Sequence, residues 1–301
     1  MNGIGKIEKL CAALGCEYRL NESLREHTSF KIGGPADIMV FPESTQMLSQ
    51  IIVASRSLSL PVFPLGNGSN LLVSDSGIRG VVISSERFNN VSLIDETTIV
   101  CGSGVKLSKL CNFALSHSLS GLEFAYGIPG TTGGAVYMNA GAYGGEMKDV
   151  LVGCTHVDSD GKVGEIAACD LELGYRTSVY EKGGRFITEI KLQLVKADAA
   201  DIKAKMTELI GKRQDKQPLE FPSAGSTFKR PEGYFAGALI EQCGLKGFTV
   251  GGAQVSEKHA GFVINRGGAT AADVMSLIES VQKTVFENTG VHLEPEVKFI
   301  G

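Results

Sequence analysis

The sequence has no C-x-x-C pair and no H-E-x-x-H, and its five histidines, His27, His117, His156, His259 and His292, are scattered without metal-ligand spacing. No metal site is therefore expected. The seven cysteines are odd in number, show no paired spacing and lie mostly inside apolar stretches, so they read as reduced core thiols and not as a disulfide framework. No G-x-x-x-x-G-K-S/T loop occurs, which disfavours P-loop phosphoryl transfer. Charge of neither sign dominates: 29 basic against 33 acidic residues give a net charge of -4, with no basic stripe for nucleic acid or an anionic membrane surface. No apolar run is long enough to span a bilayer, and Met1 to Leu10 lacks a signal-peptide core, so a cytoplasmic protein without membrane insertion is expected. No internal repeat and no obligatory protein partner is indicated.

What the chain has in excess is glycine, 38 residues in 301, well above the usual share of about 7%. The glycines are clustered and not periodic, which points to loops where backbone approaches something closely. The length suits two or three modest domains. Ala36–Phe41 reads as a strand, Ser44–Leu60 as a helix with Met47, Ile51, Ala54 and Leu58 on one face, and Val62–Leu65 as a second strand, together one βαβ-like unit. Short strands follow over 81–100 with a turn at Asp95-Glu96, then a helix over 106–118. Asp158-Ser159-Asp160-Gly161 marks a hairpin between 151–157 and 162–166, and 186–195 is another strand. Beyond a boundary near 196–216, itself carrying a helix marked by Ile202, Met206, Leu209 and Ile210, come a helix over 234–243, β segments over 250–255 and 261–265, a long helix over 271–287 and a terminal strand over 297–300. The architecture is α+β, with a larger N-terminal part and a smaller C-terminal one.

Two glycine loops carry the chemical signal. Gly66-Asn67-Gly68-Ser69-Asn70 ends a strand, but no third glycine follows and Leu71-Leu72-Val73 looks like strand, so a Rossmann site is disfavoured. Successive N–H groups in such a turn still suit a pyrophosphate, with Ser69 and Asn70 adding side-chain hydrogen bonds. The second loop, Gly127-Ile128-Pro129-Gly130-Thr131-Thr132-Gly133-Gly134, runs on into Asn139-Ala140-Gly141-Ala142-Tyr143-Gly144-Gly145. Glycine this dense costs backbone entropy, and it offers a wall of bare backbone to a flat cofactor ring; a pair of irregular turns is the plainer alternative.

These loops, in this order, resemble the UDP-N-acetylenolpyruvoylglucosamine reductases of bacterial peptidoglycan synthesis. The likeness runs nearly end to end. It begins at His27-Thr28-Ser29-Phe30-Lys31-Ile32-Gly33-Gly34-Pro35 and continues through both glycine loops, Gly174-Tyr175-Arg176-Thr177-Ser178 and Pro222-Ser223-Ala224-Gly225-Ser226-Thr227-Phe228-Lys229-Arg230-Pro231. It closes with 252–265 and Glu294-Pro295-Glu296-Val297. The chain is similar to the compact class, which lacks the longer class's tyrosine-bearing loop.

The resemblance implies noncovalent FAD in a vanillyl-alcohol-oxidase (PCMH) type FAD-binding fold, NADPH as reductant, and the enolpyruvyl ether of UDP-N-acetylglucosamine as substrate. Residues 1–198 would be the FAD-binding domain, in two parts, 1–65 and 66–198; 199–301 would be a smaller α/β substrate-binding domain. By position, Arg176 matches the family's active-site arginine, Ser226 its proton donor and Glu296 its active-site carboxylate. Gly66, Asn67, Gly68, Ser69, Asn70, Gly130, Thr131, Gly133, Gly134, Asn139, Gly141 and Ala142 would meet the cofactor. Tyr143, Lys216, Lys229, Arg230 and His259 are substrate-binding candidates.

The chemistry asks for such residue types independently. Hydride addition to an enol ether conjugated to a carboxylate builds negative charge on that carboxylate, which a fixed guanidinium stabilises bidentately. The carbon bearing the ether oxygen must then gain a proton, which a positioned hydroxyl can give. Glu296 would orient Arg176 or, protonated, bond the substrate carboxylate. Without the resemblance each residue has a bland reading: Arg176 a surface arginine packed on Tyr175, Ser226 a turn serine, and Glu294, Glu296 and Lys298 one wet strand face. A flavin oxidase of the same fold acting on a sugar alcohol or lactone, and a non-catalytic nucleotide-binding protein, are the competing functions.

Overall fold

The structure is a computed structural model that describes residues 3–301. Ser44 caps the helix Thr45–Ser57 by accepting the Met47 N–H on its hydroxyl. The buried face is Leu48, Ile51, Ile52 and Ser55, a stripe rotated from the expected one; Met47, Ala54 and Leu58 sit at its margin, half-covered. Ser55 is accommodated in the core because its hydroxyl donates to the Ile51 carbonyl one turn back.

The chain forms two compact units, and neither is contiguous. The first comprises Met1–Asn21, Asp37–Asn67 and Gly80–Lys212; the second Glu22–Ala36, Gly68–Arg79 and Arg213–Gly301. The segments 22–36 and 68–79, assigned above to the N-terminal part, thus pack with the C-terminal residues. Their apolar side chains explain it: Phe30, Ile32 and Leu72 are buried in the same core as Val263, Val274 and Ile278.

In the first unit a four-stranded sheet runs Glu17–Ser23, Pro35–Phe41, Ile78–Ser84, Val62–Leu65. The two strands of the expected βαβ unit are therefore not neighbours. Ile78–Ser84 lies between them, pairing Val62–Leu65 in parallel with Val62 opposite Val81. Its run Val81-Val82-Ile83 is wholly buried, as a central strand requires, while Pro64, which has no N–H to donate, stands on the edge strand. The helices Gly3–Leu14 and Thr45–Ser57 cover this sheet through Ile7, Cys11, Leu48 and Ile51.

A second sheet of the same unit is antiparallel, in the order Val163–Ala167, Leu151–Asp158, Arg185–Gln193, Thr98–Gly102, Val91–Leu93. The expected hairpin at 158–161 is its first connection; Asp158 Oδ1 accepts the N–H groups of Asp160 and Lys162. Helix Leu107–Ser116 packs on this sheet with Leu107, Leu110, Cys111 and Ala114.

In the second unit four antiparallel strands are ordered Ser223–Ser226, Phe262–Asn265, Ala253–Val255, Thr249–Val250. The single β segment expected over 250–255 is in fact a tight hairpin, turned at Gly251, where φ is +53°. Helix Ala271–Thr289 buries Val274, Leu277, Ile278, Val281 and Val285, and helix Ala236–Gln242 is shorter at both ends than expected. The terminal strand Lys298–Ile300 pairs in parallel with Leu71–Val73. All seven cysteines are free thiols, five of them buried. Among the described residues no helix is long and apolar enough to cross a membrane.

Candidate active site

Gly66 and Asn67, the start of the first glycine loop, meet the second loop within the first unit. A side chain at Gly66 would set its Cβ 2.7 Å from Thr131 Oγ1. Asn67 donates its Nδ2 to the Pro129 carbonyl at 2.7 Å. After Pro129 the chain enters the short helix Thr132–Tyr137, capped by Thr131, whose hydroxyl accepts the Gly134 N–H. The N–H groups of Thr132 and Gly133 donate to the carbonyls of Val105 (2.8 Å) and Ser103 (2.9 Å), and that of Ala135 to Thr131 (2.8 Å). These amides hold the second loop in its own fold.

The first loop differs. Gly68 has φ +57°, and any Cβ there would lie 2.2 Å from the His27 carbonyl oxygen, so no other residue fits. The N–H groups of Asn67, Gly68 and Ser69 have no acceptor among the described residues. A tight turn of unengaged N–H groups has the chemistry to accept a diphosphate. In the first unit Gly134 is exposed, with nothing nearer to a Cβ than Thr131 Oγ1 at 3.6 Å, so its bare backbone is not demanded by the packing of the protein. These residues fit an FAD.

Downstream, Gly141–Ala142 and Gly145–Glu146 form a two-stranded hairpin turned by Tyr143 (φ +53°) and Gly144 (φ +91°). Tyr143, a substrate candidate, is largely exposed at this tip. Asn139 is only 1% exposed. Its Nδ2 donates to Glu146 Oε2 at 2.6 Å and to the Gly174 carbonyl at 2.9 Å, and its Oδ1 accepts the Lys148 N–H at 2.9 Å. Arg176 lies in the turn Gly174–Thr177 at φ +56°, half-buried, with Nη2 donating to the Gly141 carbonyl at 3.2 Å and Cζ 5.2 Å from the Tyr175 ring centre.

In the second unit, Ser226 ends the strand Ser223–Ser226 after an irregularity at Gly225 (φ +78°), which leaves the serine exposed. The chain then runs antiparallel to 294–296: Lys229 N–H donates to the Glu294 carbonyl (2.8 Å), and Glu296 N–H to the Thr227 carbonyl (2.8 Å). Ser226 and Glu296 are thereby brought onto adjoining segments, and Arg176 belongs to the other unit. Glu296 is buried, 9% exposed, whereas Glu294 is exposed; the two do not share one wet face, because regular strand begins only at Lys298.

The remaining candidates are engaged differently. Lys229 pairs with Glu294, and Arg230 stacks 4.0 Å from the centre of the Phe235 ring. Lys216 ends its helix exposed. His259 accepts the Gly261 N–H on Nδ1 and packs edge-on against Phe262; burial above all holds it below the ordinary histidine pKa, so it is a neutral, structurally satisfied ring. Sequence reasoning missed Glu146 and Thr227. Neither carries a local signal, since each acts through hydrogen bonds set by folding.

Comparison with known proteins matches two stretches of the chain. Residues 36–167 match the FAD binding domain family, and 217–300 the UDP-N-acetylenolpyruvoylglucosamine reductase C-terminal domain family. Among solved structures, a UDP-N-acetylenolpyruvylglucosamine reductase from Thermus caldophilus superposes with a TM-score of 0.81 at 35% identity, covering 95% of this chain and 99% of that one. A BBE-like 1 protein from Physcomitrella patens, at 17% identity and a TM-score of 0.50 over 63% of this chain and 44% of that one, shares the fold alone. Fold and loops together define an FAD-binding oxidoreductase of the vanillyl-alcohol-oxidase type with an added C-terminal α/β part.

Curated relatives named UDP-N-acetylenolpyruvoylglucosamine reductase are 50% identical: over 94% of this chain and 93% of the relative for Caldanaerobacter subterraneus, and over 98% and 96% for Clostridium tetani. The chain belongs to the UDP-N-acetylenolpyruvoylglucosamine reductase family, FAD- and NADPH-using enzymes of peptidoglycan precursor synthesis. The competing reading as an oxidase is not favoured, because the likeness to the reductases extends through residues 217–300.

Proposed function

We propose that this protein reduces the enolpyruvyl ether of UDP-N-acetylglucosamine to UDP-N-acetylmuramate in the cytoplasm, with Arg176, Ser226 and Glu296 as its catalytic residues. The observation that supports the residue assignment is the antiparallel run of 227–229 beside 294–296, which brings the exposed Ser226 and the buried Glu296 onto adjoining segments. Residues of the two glycine loops would hold a noncovalent FAD, which when bound would pass on the hydride that NADPH provides.

Arg176 binds the substrate carboxylate and stabilises the charge that gathers there as hydride adds to the terminal carbon. Its Nη2 donates to the Gly141 carbonyl at 3.2 Å, which anchors the guanidinium on that hairpin. Ser226 gives its hydroxyl proton to the carbon bearing the ether oxygen; a strongly basic carbanion next to a guanidinium is the setting in which so weak an acid can act. Glu296, buried and fixed by its backbone to Thr227, orients the substrate carboxylate or the guanidinium. The glycine loops would bind the cofactor; Lys216, Lys229 and Arg230 are the candidates for the substrate diphosphate, and Tyr143 and His259 for other contacts to the substrate.

The test separates two half-reactions of the purified holoenzyme under anaerobic conditions. Ser226→Ala should be reduced by NADPH at near the wild-type rate. Its reoxidation by the enolpyruvyl sugar nucleotide should fall by a factor on the order of 100 or more, the scale of a lost general acid. Equal loss in both steps would reject the role of Ser226. Strong O2 turnover with no need for the sugar nucleotide would reject the reductase.

A further inference from the structure

We infer that Asn139 is the positioning residue for Arg176, fixing the turn that carries the guanidinium, and that it is not a contact for the cofactor. The inference rests on Arg176 being the carboxylate-binding group. Asn139 is buried, and its amide is engaged inside the unit: both N–H bonds of Nδ2 are donated, to Glu146 Oε2 at 2.6 Å and to the Gly174 carbonyl at 2.9 Å, and Oδ1 accepts from Lys148. No donor is left over for a ligand.

The partners explain the residue type. A backbone φ of +40° suits asparagine better than almost any residue except glycine. Only a primary amide can give one N–H to a carboxylate and the other to a carbonyl while accepting on its oxygen. Glu146 fixes the amide's orientation, since its Oε2 takes one of the two N–H bonds while its Oε1 pairs with Lys148 Nζ at 2.5 Å.

The Gly174 carbonyl is where this clamp reaches the active residue. Gly174 opens the turn whose N–H donates to the Thr177 carbonyl at 3.2 Å, and Arg176 inside it is held left-handed. A long side chain in that backbone region loses about 1 kcal/mol relative to the right-handed one, so the turn needs external support. The tip of Arg176 returns to the Gly141 carbonyl, two residues beyond Asn139. Contacts 139–174, then 176–141, close a ring that sets both ends of the arginine against one hairpin. A displacement of about 1 Å at such a group costs up to 100-fold in rate.

The probe is the holoenzyme with Asn139→Asp, an isosteric change that keeps the acceptor for Lys148 and removes both donors. The expected result is unchanged bound FAD and absorbance spectrum, and reduction by NADPH within about threefold of wild type. Reoxidation by the enolpyruvyl sugar nucleotide falls about 30-fold, and the substrate KM rises. Arg176→Lys shows the same split, and the double variant loses no more than Arg176→Lys alone, because residues acting through one group are not additive. Two carboxyls in contact at 139 and 146 share a proton, so the loss in Asn139→Asp recovers as pH is lowered, relative to wild type.

Loss of FAD, or equal loss in both half-reactions, would overturn the inference in favour of a direct cofactor role. Additive losses would overturn it in favour of scaffold alone. If Asn139→Asp does not fold, Glu146→Ala removes the carboxylate that orients the amide, together with its pairing to Lys148 and its cap on the turn 147–149. It is expected to give the same half-reaction split at about tenfold, and its failure to do so would overturn the inference equally. An Arg176→Lys protein with normal reoxidation would instead reject the reading of Arg176 itself.

Discussion

Asn70 grips the chain on both sides of the residue after Glu296: its Nδ2 donates to the Glu296 carbonyl at 3.1 Å, and its own carbonyl accepts the Lys298 N–H at 2.9 Å. A residue of the first glycine loop thus fixes the segment that carries the buried carboxyl. Asn70→Ala removes one of these two bonds, at a cost of about 1 kcal/mol. The expected outcome is a small fall in Tm together with slower reoxidation by the sugar nucleotide, measured by calorimetry and rapid mixing. A variant that loses stability alone, with reoxidation intact, would show that Glu296 does not depend on this grip.

Gly68 and Gly134 should respond oppositely to alanine. At Gly68 the left-handed backbone and the His27 carbonyl 2.2 Å from a Cβ leave no room, so Gly68→Ala should be destabilised by more than the ~1 kcal/mol of the backbone conformation alone. At Gly134 nothing stands closer than 3.6 Å, so Gly134→Ala should fold with an unchanged denaturant midpoint in the apoprotein while its FAD affinity falls about tenfold or more. Titration of the apoproteins with FAD followed by fluorescence makes the comparison.

Asp75 takes the first free N–H groups of helix Ala271–Thr289 onto its carboxylate, Ala271 at 2.8 Å and Ala272 at 3.1 Å, and so ties the segment 68–79 to that helix. Asp75→Ala should cost about 1–2 kcal/mol, the worth of a cap plus its favourable charge at a helix N-terminus. Asp75→Asn should recover part of it. Urea unfolding would detect the difference, and a midpoint unmoved in Asp75→Ala would mean that the tie contributes nothing.

Acid should weaken the fold through His156. Burial first, and then the Arg185 charge, hold this ring below its ordinary pKa of about 6.5. A depressed histidine binds its proton in the unfolded chain before it does in the folded one. Its contribution is therefore fully present above pH ~6.5 and is lost as pH falls from there through the lowered folded value. His259 is shifted in the same direction and adds to the slope. His156→Phe should flatten the fall of Tm between neutral pH and about pH 5 without abolishing it; a slope identical to wild type would exclude His156 as its source.

Much of this molecule could be read before folding. The helices over 45–57, 107–116 and 271–289 follow from apolar spacing, and the hairpin after Asp158 from its turn residues, because these signals are local: period, cap and left-handed glycine all act within a few residues. The reductase likeness was legible for a similar reason, since ordered short motifs at Gly66, Gly127, Arg176, Ser226 and Glu296 need no contact map.

What the sequence could not supply is which segments lie together. The assignment of 22–36 and 68–79 to the second unit, the insertion of Ile78–Ser84 between two earlier strands, the adjoining of Ser226 to Glu296 and the engagement of the Asn139 amide were decided by tertiary structure. Each depends on burial of apolar side chains or on hydrogen bonds between residues far apart in the chain, such as Asn70 and Glu296, 226 positions apart. No local preference of either partner specifies such a pairing; only closure of the whole chain does, once every buried N–H and carbonyl must find a partner.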